Sequence, residues 1–202
     1  LTRYASSIWR ELRQRFRNGE ITLREYQEQA FASVTQSRES LQQYVCQEAV
    51  LRNGFVDMVL YCRQNSIELA IVTYGLDFYV EALLKKYGIE DVPYYAVETN
   101  FTGGEIGYTY RYTTPGCNAW GNCKCRVLEK YRQEGHEIFY AGDGTSDACP
   151  AAKSDFVFAR AHLLRCCQQN NIPHRELSDF YDVINELTSR GYGTRPGAIK
   201  ET

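Results

Sequence analysis

Two carboxylates lie four residues apart in a glycine-containing turn, Gly142-Asp143-Gly144-Thr145-Ser146-Asp147. The turn follows an apolar run, 137–141, that predicts a buried strand, and it leads into a predicted helix, 146–153. Carboxylate oxygens at a strand end suit Mg2+, which binds through one or two carboxylates and keeps waters for a phosphate substrate. An ordinary acidic turn, with Asp147 as the first residue of the helix, explains the same residues equally well.

A hydroxyl group follows a second apolar run, 67–73, in the sequence Thr73-Tyr74-Gly75. The run is short and rich in β-branched residues, which predicts a buried parallel strand that breaks at Tyr74-Gly75. A hydroxyl and backbone N–H groups between a strand and a helix suit a phosphate oxygen. A simple turn or a helix N-cap is the alternative, and it is favoured when these residues are considered alone.

Lys124 follows a polar loop and stands at the start of a predicted helix, 125–134. A cation is unfavourable there because it opposes the helix dipole, so its position needs another reason. Neutralising a phosphate group and a nearby carboxylate would be such a reason. A solvated surface lysine is the alternative, and in isolation it is favoured.

The cysteines and histidines give little support for other chemistry. Cys117, Cys123 and Cys125 cluster, but C-x5-C-x-C is not a recognised zinc pattern, and loop thiols are favoured over a metal site. The histidines have no metal-ligand spacing and no evident Ser or Cys partner, so neither a zinc site nor a hydrolase triad is indicated.

The elements that must position these residues change character along the chain. Residues 6–50 predict only helices, whereas helices and strands alternate from residue 53 onward, which is typical of a doubly wound α/β sheet. Ligands bind beyond the carboxyl ends of the strands in such a sheet. The predicted strands are 67–73, 94–98, 137–141 and 155–159, the helices of this part are 55–65, 77–87, 125–134, 146–153, 163–169 and 179–189, and a hairpin at 102–105 precedes an irregular loop at 113–122.

Composition favours a small-molecule partner. The 202 residues include 23 basic and 25 acidic side chains, and neither sign forms a run that would bind nucleic acid or a membrane surface. No window approaches the roughly 18 apolar residues of a membrane span, and no signal segment is evident at the start. Eight cysteines in a chain of this length indicate reduced thiols, so we expect a cytoplasmic protein.

In chain order, three segments resemble motifs two, three and four of the haloacid dehalogenase superfamily: residues 72–78, Cys123-Lys124 and 142–147. Their order and separation are similar to those of the phosphoserine-phosphatase-like branch. Within it, the chain resembles most the methionine-salvage group that acts on 2-hydroxy-3-keto-5-methylthiopentenyl 1-phosphate. The likeness includes the Cys-rich loop before Lys124 and the segments 158–164 and 178–181.

This resemblance implies a Rossmann-like parallel sheet with a small helical cap at 1–52 and a core at 53–190. The tail at 191–202 contains Gly and Pro, so we expect it to be flexible. The resemblance also implies roles for the residues above. Thr73, with Tyr74 and Gly75, would bind the transferring phosphate, and Lys124 would steady it together with the nucleophile. Asp143 would hold Mg2+, and Asp147 would be a second ligand or its support.

The chain departs from the family in one motif. Members carry Asp-x-Asp-Gly-Thr on their first strand, where the first Asp attacks phosphorus, and this sequence does not occur in residues 1–202. Leu1-Thr2 resembles the residues that commonly come after that motif, so we expect a chain cut just after it, without a central strand and inactive as given. The resemblance predicts that the intact protein is a Mg2+-dependent phosphatase of a small phosphorylated metabolite, acting through an aspartyl-phosphate.

Two other functions are open. The protein could be a non-catalytic relative that keeps the phosphate pocket and has a binding or regulatory role. An Asp-x-Asp-Gly-Thr sequence encoded in frame upstream of Leu1 would support the phosphatase, and a start codon near Leu1 without that motif would support the non-catalytic protein. A receiver-like or nucleotide-binding module is disfavoured because no G-x-G-x-x-G turn follows any predicted strand. The sequence leaves the substrate and the oligomeric state open.

Overall fold

The computed structural model describes residues 4–193, in which helices and strands alternate after three N-terminal helices. The predicted tail, 191–202, lies outside the described residues except for its first three positions. The helices are α1 (Ile8–Arg17), α2 (Leu23–Phe31), α3 (Arg38–Glu48), α4 (Phe55–Gln64), α5 (Asp77–Tyr87), α6 (Lys124–Gln133), α7 (Ala148–Ala151), α8 (Ala161–Gln169) and α9 (Phe180–Ser189). The strands are β1 (Ile71–Leu76), β2 (Tyr94–Thr102), β3 (Glu105–Thr109), β4 (Phe139–Gly142), β5 (Phe156–Ala159) and β6 (His174–Glu176).

The described chain divides into two compact units. The first unit contains residues 4–49, 72–86 and 94–127, and the second contains 50–71, 87–93 and 128–193. The first therefore holds helices α1 to α3 and most of strands β1 to β3, and the second holds strands β4 to β6. A cap at 1–52 that is separate from a core at 53–190 stays a prediction.

In the first unit, strands β1, β2 and β3 form a sheet in that order. The predicted hairpin is confirmed, because Thr102 pairs with Glu105 across a turn in which Gly103 and Gly104 both have positive φ. Such a turn suits glycine because a side chain is strained at positive φ. Buried apolar side chains from α2, the segment after it, α3, β1, α5 and β2 form a core of this unit: Phe31, Val34, Leu41, Leu76, Phe78 and Val97.

Strand β1 differs from the prediction of a strand at 67–73 that breaks at Tyr74-Gly75. The Ile67 N–H still bonds the Cys62 carbonyl at 2.9 Å, which makes the start of the predicted run part of the turn after α4. The strand begins at Ile71, whose N–H donates to the Pro93 carbonyl at 2.9 Å. It then continues through Tyr74-Gly75 to Leu76, directly before α5.

In the second unit, strands β4, β5 and β6 are parallel, and Tyr140 pairs with Val157, which pairs with His174. The α/β class with a Rossmann-like parallel sheet is thereby confirmed. Strand β6 was not predicted, because its sequence, His-Arg-Glu, shows no apolar alternation. Side chains from strands β4 and β5 and from helices α6, α7 and α8 form the core: Leu128, Tyr140, Ala151, Val157, Ala159, Leu163 and Cys167.

The predicted helix at 146–153 is shorter and less regular than expected. A 3-10 helix, Thr145–Asp147, comes first, and α7 follows it. The tight first turn is closed by the Asp147 N–H, which donates to the Gly144 carbonyl at 3.2 Å. Pro150 lacks an N–H and so limits the regular hydrogen bonding of this short segment.

None of the helices described in residues 4–193 is both long and apolar enough to span a membrane.

Candidate functional site

The hydroxyl group of Thr73 organises the end of strand β1. Its Oγ1 accepts a hydrogen bond from the Gly75 N–H at 2.9 Å. A Cβ at position 75 would lie 3.2 Å from that oxygen, so glycine allows the close approach. The hydroxyl accepts this bond and can still donate its own proton, which is what binding a phosphate oxygen requires.

Lys124, the first residue of α6, is buried, with 8% of its surface exposed. Its Nζ lies 4.9 Å from the centroid of the Tyr74 ring, a cation–π contact in the first unit. The Trp120 ring stacks on the Tyr74 ring, with ring centroids 5.9 Å apart and ring planes at 19°. This burial rules out the alternative of a solvated surface lysine.

Asp147 is buried, and its carboxylate holds the acidic turn together. Its Oδ2 accepts hydrogen bonds from the N–H groups of Asp143 at 3.0 Å and Gly144 at 2.8 Å. Its Oδ1 accepts a hydrogen bond from the Tyr140 hydroxyl at 2.6 Å. A Cβ at Gly142 would lie 2.8 Å from Asp147 Cγ, closer than packed carbon atoms approach. The turn therefore requires glycine at 142 and a carboxylate at 147.

Asp143 has the opposite environment. Its carbonyl accepts hydrogen bonds from the N–H groups of His162 at 3.1 Å and Leu163 at 3.3 Å, in the first turn of α8. Its side chain is exposed, and its carboxylate makes no hydrogen bond or ion pair with any residue in the range 4–193. The main chain of Asp143 is thus held firmly while its carboxylate remains open to a ligand.

The donor set fits Mg2+ only in part. Within the described part of the chain, no group of three or more His, Cys, Asp and Glu side chains is placed to hold a metal ion. The open carboxylate of Asp143 is of the type that Mg2+ prefers, and Mg2+ usually takes only one or two protein carboxylates. Asp143 therefore fits as one ligand, and the remaining ligands would be oxygens from elsewhere.

A buried carboxylate that the sequence analysis did not single out lies just after Thr73-Tyr74-Gly75. Asp77, the first residue of α5, accepts hydrogen bonds from the N–H groups of Phe78 at 2.7 Å and Thr99 at 3.0 Å. It also forms an ion pair with Arg38 of α3 at 3.1 Å. The same guanidinium group contacts Glu81 of α5 at 2.6 Å. Helices α3 and α5 and strand β2 are tied together at this point.

The structure brings the predicted site residues together in two groups. In the first unit Thr73 contacts Gly75 and Tyr74 contacts Lys124, and in the second unit Asp143 contacts Asp147. Convergence of the two groups on one ligand stays a prediction. Sequence reasoning missed the partners Trp120 and Tyr140. A signal for Tyr140 was present, because it lies two positions before Gly142 and therefore points to the same face of the strand as the turn glycine.

The chain matches the sequence model of haloacid dehalogenase-like hydrolases over residues 2–152. A 2-hydroxy-3-keto-5-methylthiopentenyl-1-phosphate phosphatase of Brevibacillus brevis is 30% identical over 191 residues, covering 92% of this chain and 85% of that protein. A protein of the same name from Lysinibacillus sphaericus is 33% identical over 168 residues, covering 76% of this chain and 71% of that protein.

Solved structures are similar in fold. A probable phosphoserine phosphatase from Vibrio cholerae superposes with a TM-score of 0.70 at 13% identity, over 93% of this chain, which spans 58% of that protein. A phosphoserine phosphatase from T. onnurineus gives a TM-score of 0.60 at 14% identity, over 88% of this chain and 79% of that protein. The resemblance seen in the sequence is confirmed, and the chain belongs to the haloacid dehalogenase-like hydrolase family.

Proposed function

We propose that the intact protein is a Mg2+-dependent phosphatase that hydrolyses a small phosphorylated metabolite through an aspartyl-phosphate. The observation that carries the proposal is the buried Lys124, whose ammonium group lies over Tyr74, next to the residue that offers the Thr73 hydroxyl. A desolvated cation interacts with a phosphate dianion far more strongly than a solvated one does. Family membership and the names of the curated relatives support the same activity.

Each residue of this chain has a distinct task in the proposed reaction. The Thr73 hydroxyl donates a hydrogen bond to a phosphate oxygen and orients the group for in-line attack. Lys124 offsets the negative charge that would otherwise repel a carboxylate nucleophile. Asp143 offers its open carboxylate to Mg2+, and Asp147 holds the turn that positions Asp143. Mg2+, when bound, supplies further charge neutralisation at the phosphoryl oxygens.

The nucleophile is assigned to an Asp-x-Asp-Gly-Thr sequence of the intact protein, outside residues 1–202. Attack by its first aspartate would form an aspartyl-phosphate, which water then hydrolyses. We assign residues 1–52 the role of a cap that excludes bulk water during the reaction. The curated relatives support a substrate of the class of 2-hydroxy-3-keto-5-methylthiopentenyl 1-phosphate.

A screen of phosphomonoesters with the full-length protein tests the proposal, with Mg2+ present or chelated. We expect activity that chelation abolishes and that Asp143→Asn lowers strongly. Asp91→Asn is the matched control, because Asp91 is an exposed aspartate whose partner is Arg63. Activity that survives both chelation and Asp143→Asn would refute the proposal. Absence of Asp-x-Asp-Gly-Thr upstream of Leu1 would instead support the non-catalytic binding protein.

A further inference from the structure

Two cysteines in the loop between β3 and α6 are held against the same three-residue segment, 112–114. The Cys117 N–H donates to the Thr114 carbonyl at 2.8 Å, and the Cys123 N–H donates to the Tyr112 carbonyl at 2.9 Å. Arg126, in α6, donates from Nη1 to the Thr113 carbonyl at 3.0 Å. Six positions separate the cysteines in the sequence, but the loop folds back so that both lie beside one stretch of backbone.

The two sulfur atoms share a hydrogen bond. The Cys123 sulfur accepts from the Cys117 thiol and the Thr114 hydroxyl, and also from the N–H groups of Cys125 and Arg126 at the start of α6. Burial is the largest single influence and raises the pKa of Cys123, but the four donors together lower that pKa below its ordinary value. Thiolate character at a helix N-terminus is the usual condition for a reactive cysteine.

We propose that Cys117 and Cys123 form a redox-active pair that a peroxide oxidises to an intramolecular disulfide. None of the eight cysteines forms a disulfide in the structure, so the pair is described in its reduced form. Within residues 4–193 no set of three metal-binding side chains includes these cysteines, which argues against a metal site in the same loop. The proposal is independent of the phosphatase activity.

The chemistry balances with hydrogen peroxide as the oxidant. The four donors favour Cys123 as the thiolate of the pair, with the remaining proton on Cys117. The Cys123 thiolate attacks one peroxide oxygen, the O–O bond breaks, and hydroxide leaves. The Cys117 sulfur then attacks the resulting Cys123 sulfenic acid, and its proton departs with the hydroxyl group as water. The net products are one disulfide, one water and one hydroxide.

Oxidation would also constrain the surroundings of Lys124. The disulfide closes a loop, 117–123, that contains Trp120, the residue stacked on Tyr74. The loop ends immediately before Lys124 at the start of α6. A change in the fluorescence of Trp120 should therefore accompany disulfide formation. The second tryptophan, Trp9, lies in α1 and is the background in this measurement.

Peptide mapping of the 202-residue chain tests the proposal directly. Trypsin cleaves after Arg111 and Lys124, so one peptide, 112–124, contains Cys117 and Cys123 and no other cysteine. After treatment with dilute hydrogen peroxide we expect this peptide to be two hydrogen atoms lighter and to resist alkylation. Dithiothreitol should restore two alkylation sites, which separates a disulfide from irreversible oxidation.

Variants identify the partners. Cys117→Ser and Cys123→Ser should each abolish the lighter peptide, whereas Cys149→Ser, which removes an exposed thiol in α7, should leave it unchanged. A peptide 112–124 that keeps two alkylatable thiols while Cys149 is oxidised would overturn the proposal. A link from this peptide to the dipeptide Cys125-Arg126 would also overturn it. The wild-type result stands even if a variant folds poorly.

Discussion

Replacing Gly142 with alanine should disrupt the acidic turn through steric contact alone. The new Cβ would lie 2.8 Å from Asp147 Cγ and 2.9 Å from its Oδ2, whereas carbon atoms pack at about 3.5–4.0 Å. The carboxylate must move by roughly 0.5–1 Å, away from the two N–H groups that it accepts at 2.8 and 3.0 Å. Since a hydrogen bond to a charged group contributes about 1.5–3 kcal/mol, we expect the free energy of unfolding to fall by about 2–4 kcal/mol.

Gly144→Ala is the matched control, two residues away in the same turn. There the new Cβ would lie 3.4 Å from Asp147 Oδ2, and the backbone φ of −100° suits any residue. We expect a loss below about 1 kcal/mol. Urea unfolding of the 202-residue chain, followed by circular dichroism, compares the two variants without any activity measurement. Equal losses for Gly142→Ala and Gly144→Ala would refute the assignment of Asp147 as the group that holds the turn.

Three further predictions concern buried polar groups. Lys124→Met should lower kcat of the full-length phosphatase by about 10²–10³-fold with little loss of stability. Lys130→Met, on the exposed face of the same helix, is the control and should leave kcat unchanged. Arg38→Met should lower the free energy of unfolding by about 2–4 kcal/mol, because it leaves a buried carboxylate without its ion pair, and a change below about 0.5 kcal/mol would contradict this. Burial raises the pKa of Cys62 from 9.0 to about 11, so near pH 8 its thiolate should be about 100-fold scarcer than that of an ordinary cysteine. Alkylation followed by mass spectrometry should therefore show that Cys62 reacts much more slowly than Cys149.

The raised pKa of Cys62 also has a consequence for stability. Because the folded-state pKa lies above the unfolded value of 9.0, the contribution of the neutral thiol is fully present below pH 9 and is lost as the pH rises toward about 11. Cys62→Ala should flatten this part of the pH dependence measured by urea unfolding. If the slope of the free energy of unfolding between pH 9 and 11 is unchanged in Cys62→Ala, other groups cause this pH dependence.

The sequence predicted those parts of the fold that depend on local pattern. Helix α5 was predicted with its exact bounds, because its apolar spacing and its starting Asp77 are both local signals. The hairpin at 102–105 was predicted from its two glycines. Strand β6 was missed because its pairing with β5, through His174, comes from tertiary context and not from its own residues.

The sequence singled out candidate site residues but not the partners that the structure gives them. Thr73 and Asp143 were chosen because each lies near the carboxyl end of a predicted strand. The stacking of Trp120 on Tyr74 was not predictable, because a 3-10 helix within an irregular loop, Pro115–Trp120, sets the position of the indole ring. Loops of this kind leave no periodic signal in the sequence.

Burial separates three aspartates that look alike in the sequence. Asp77 and Asp147 are buried, each follows a strand, and each accepts two backbone hydrogen bonds. A buried carboxylate is costly without such partners, so their number indicates that both residues hold the backbone in place. Asp143 is exposed, its main chain is fixed by α8, and its carboxylate accepts nothing from residues 4–193. A side chain held rigidly at its backbone and left open at its carboxylate is suited to bind a cation, and this difference, more than the count of acidic residues, is the reason for proposing Asp143 as the ligand.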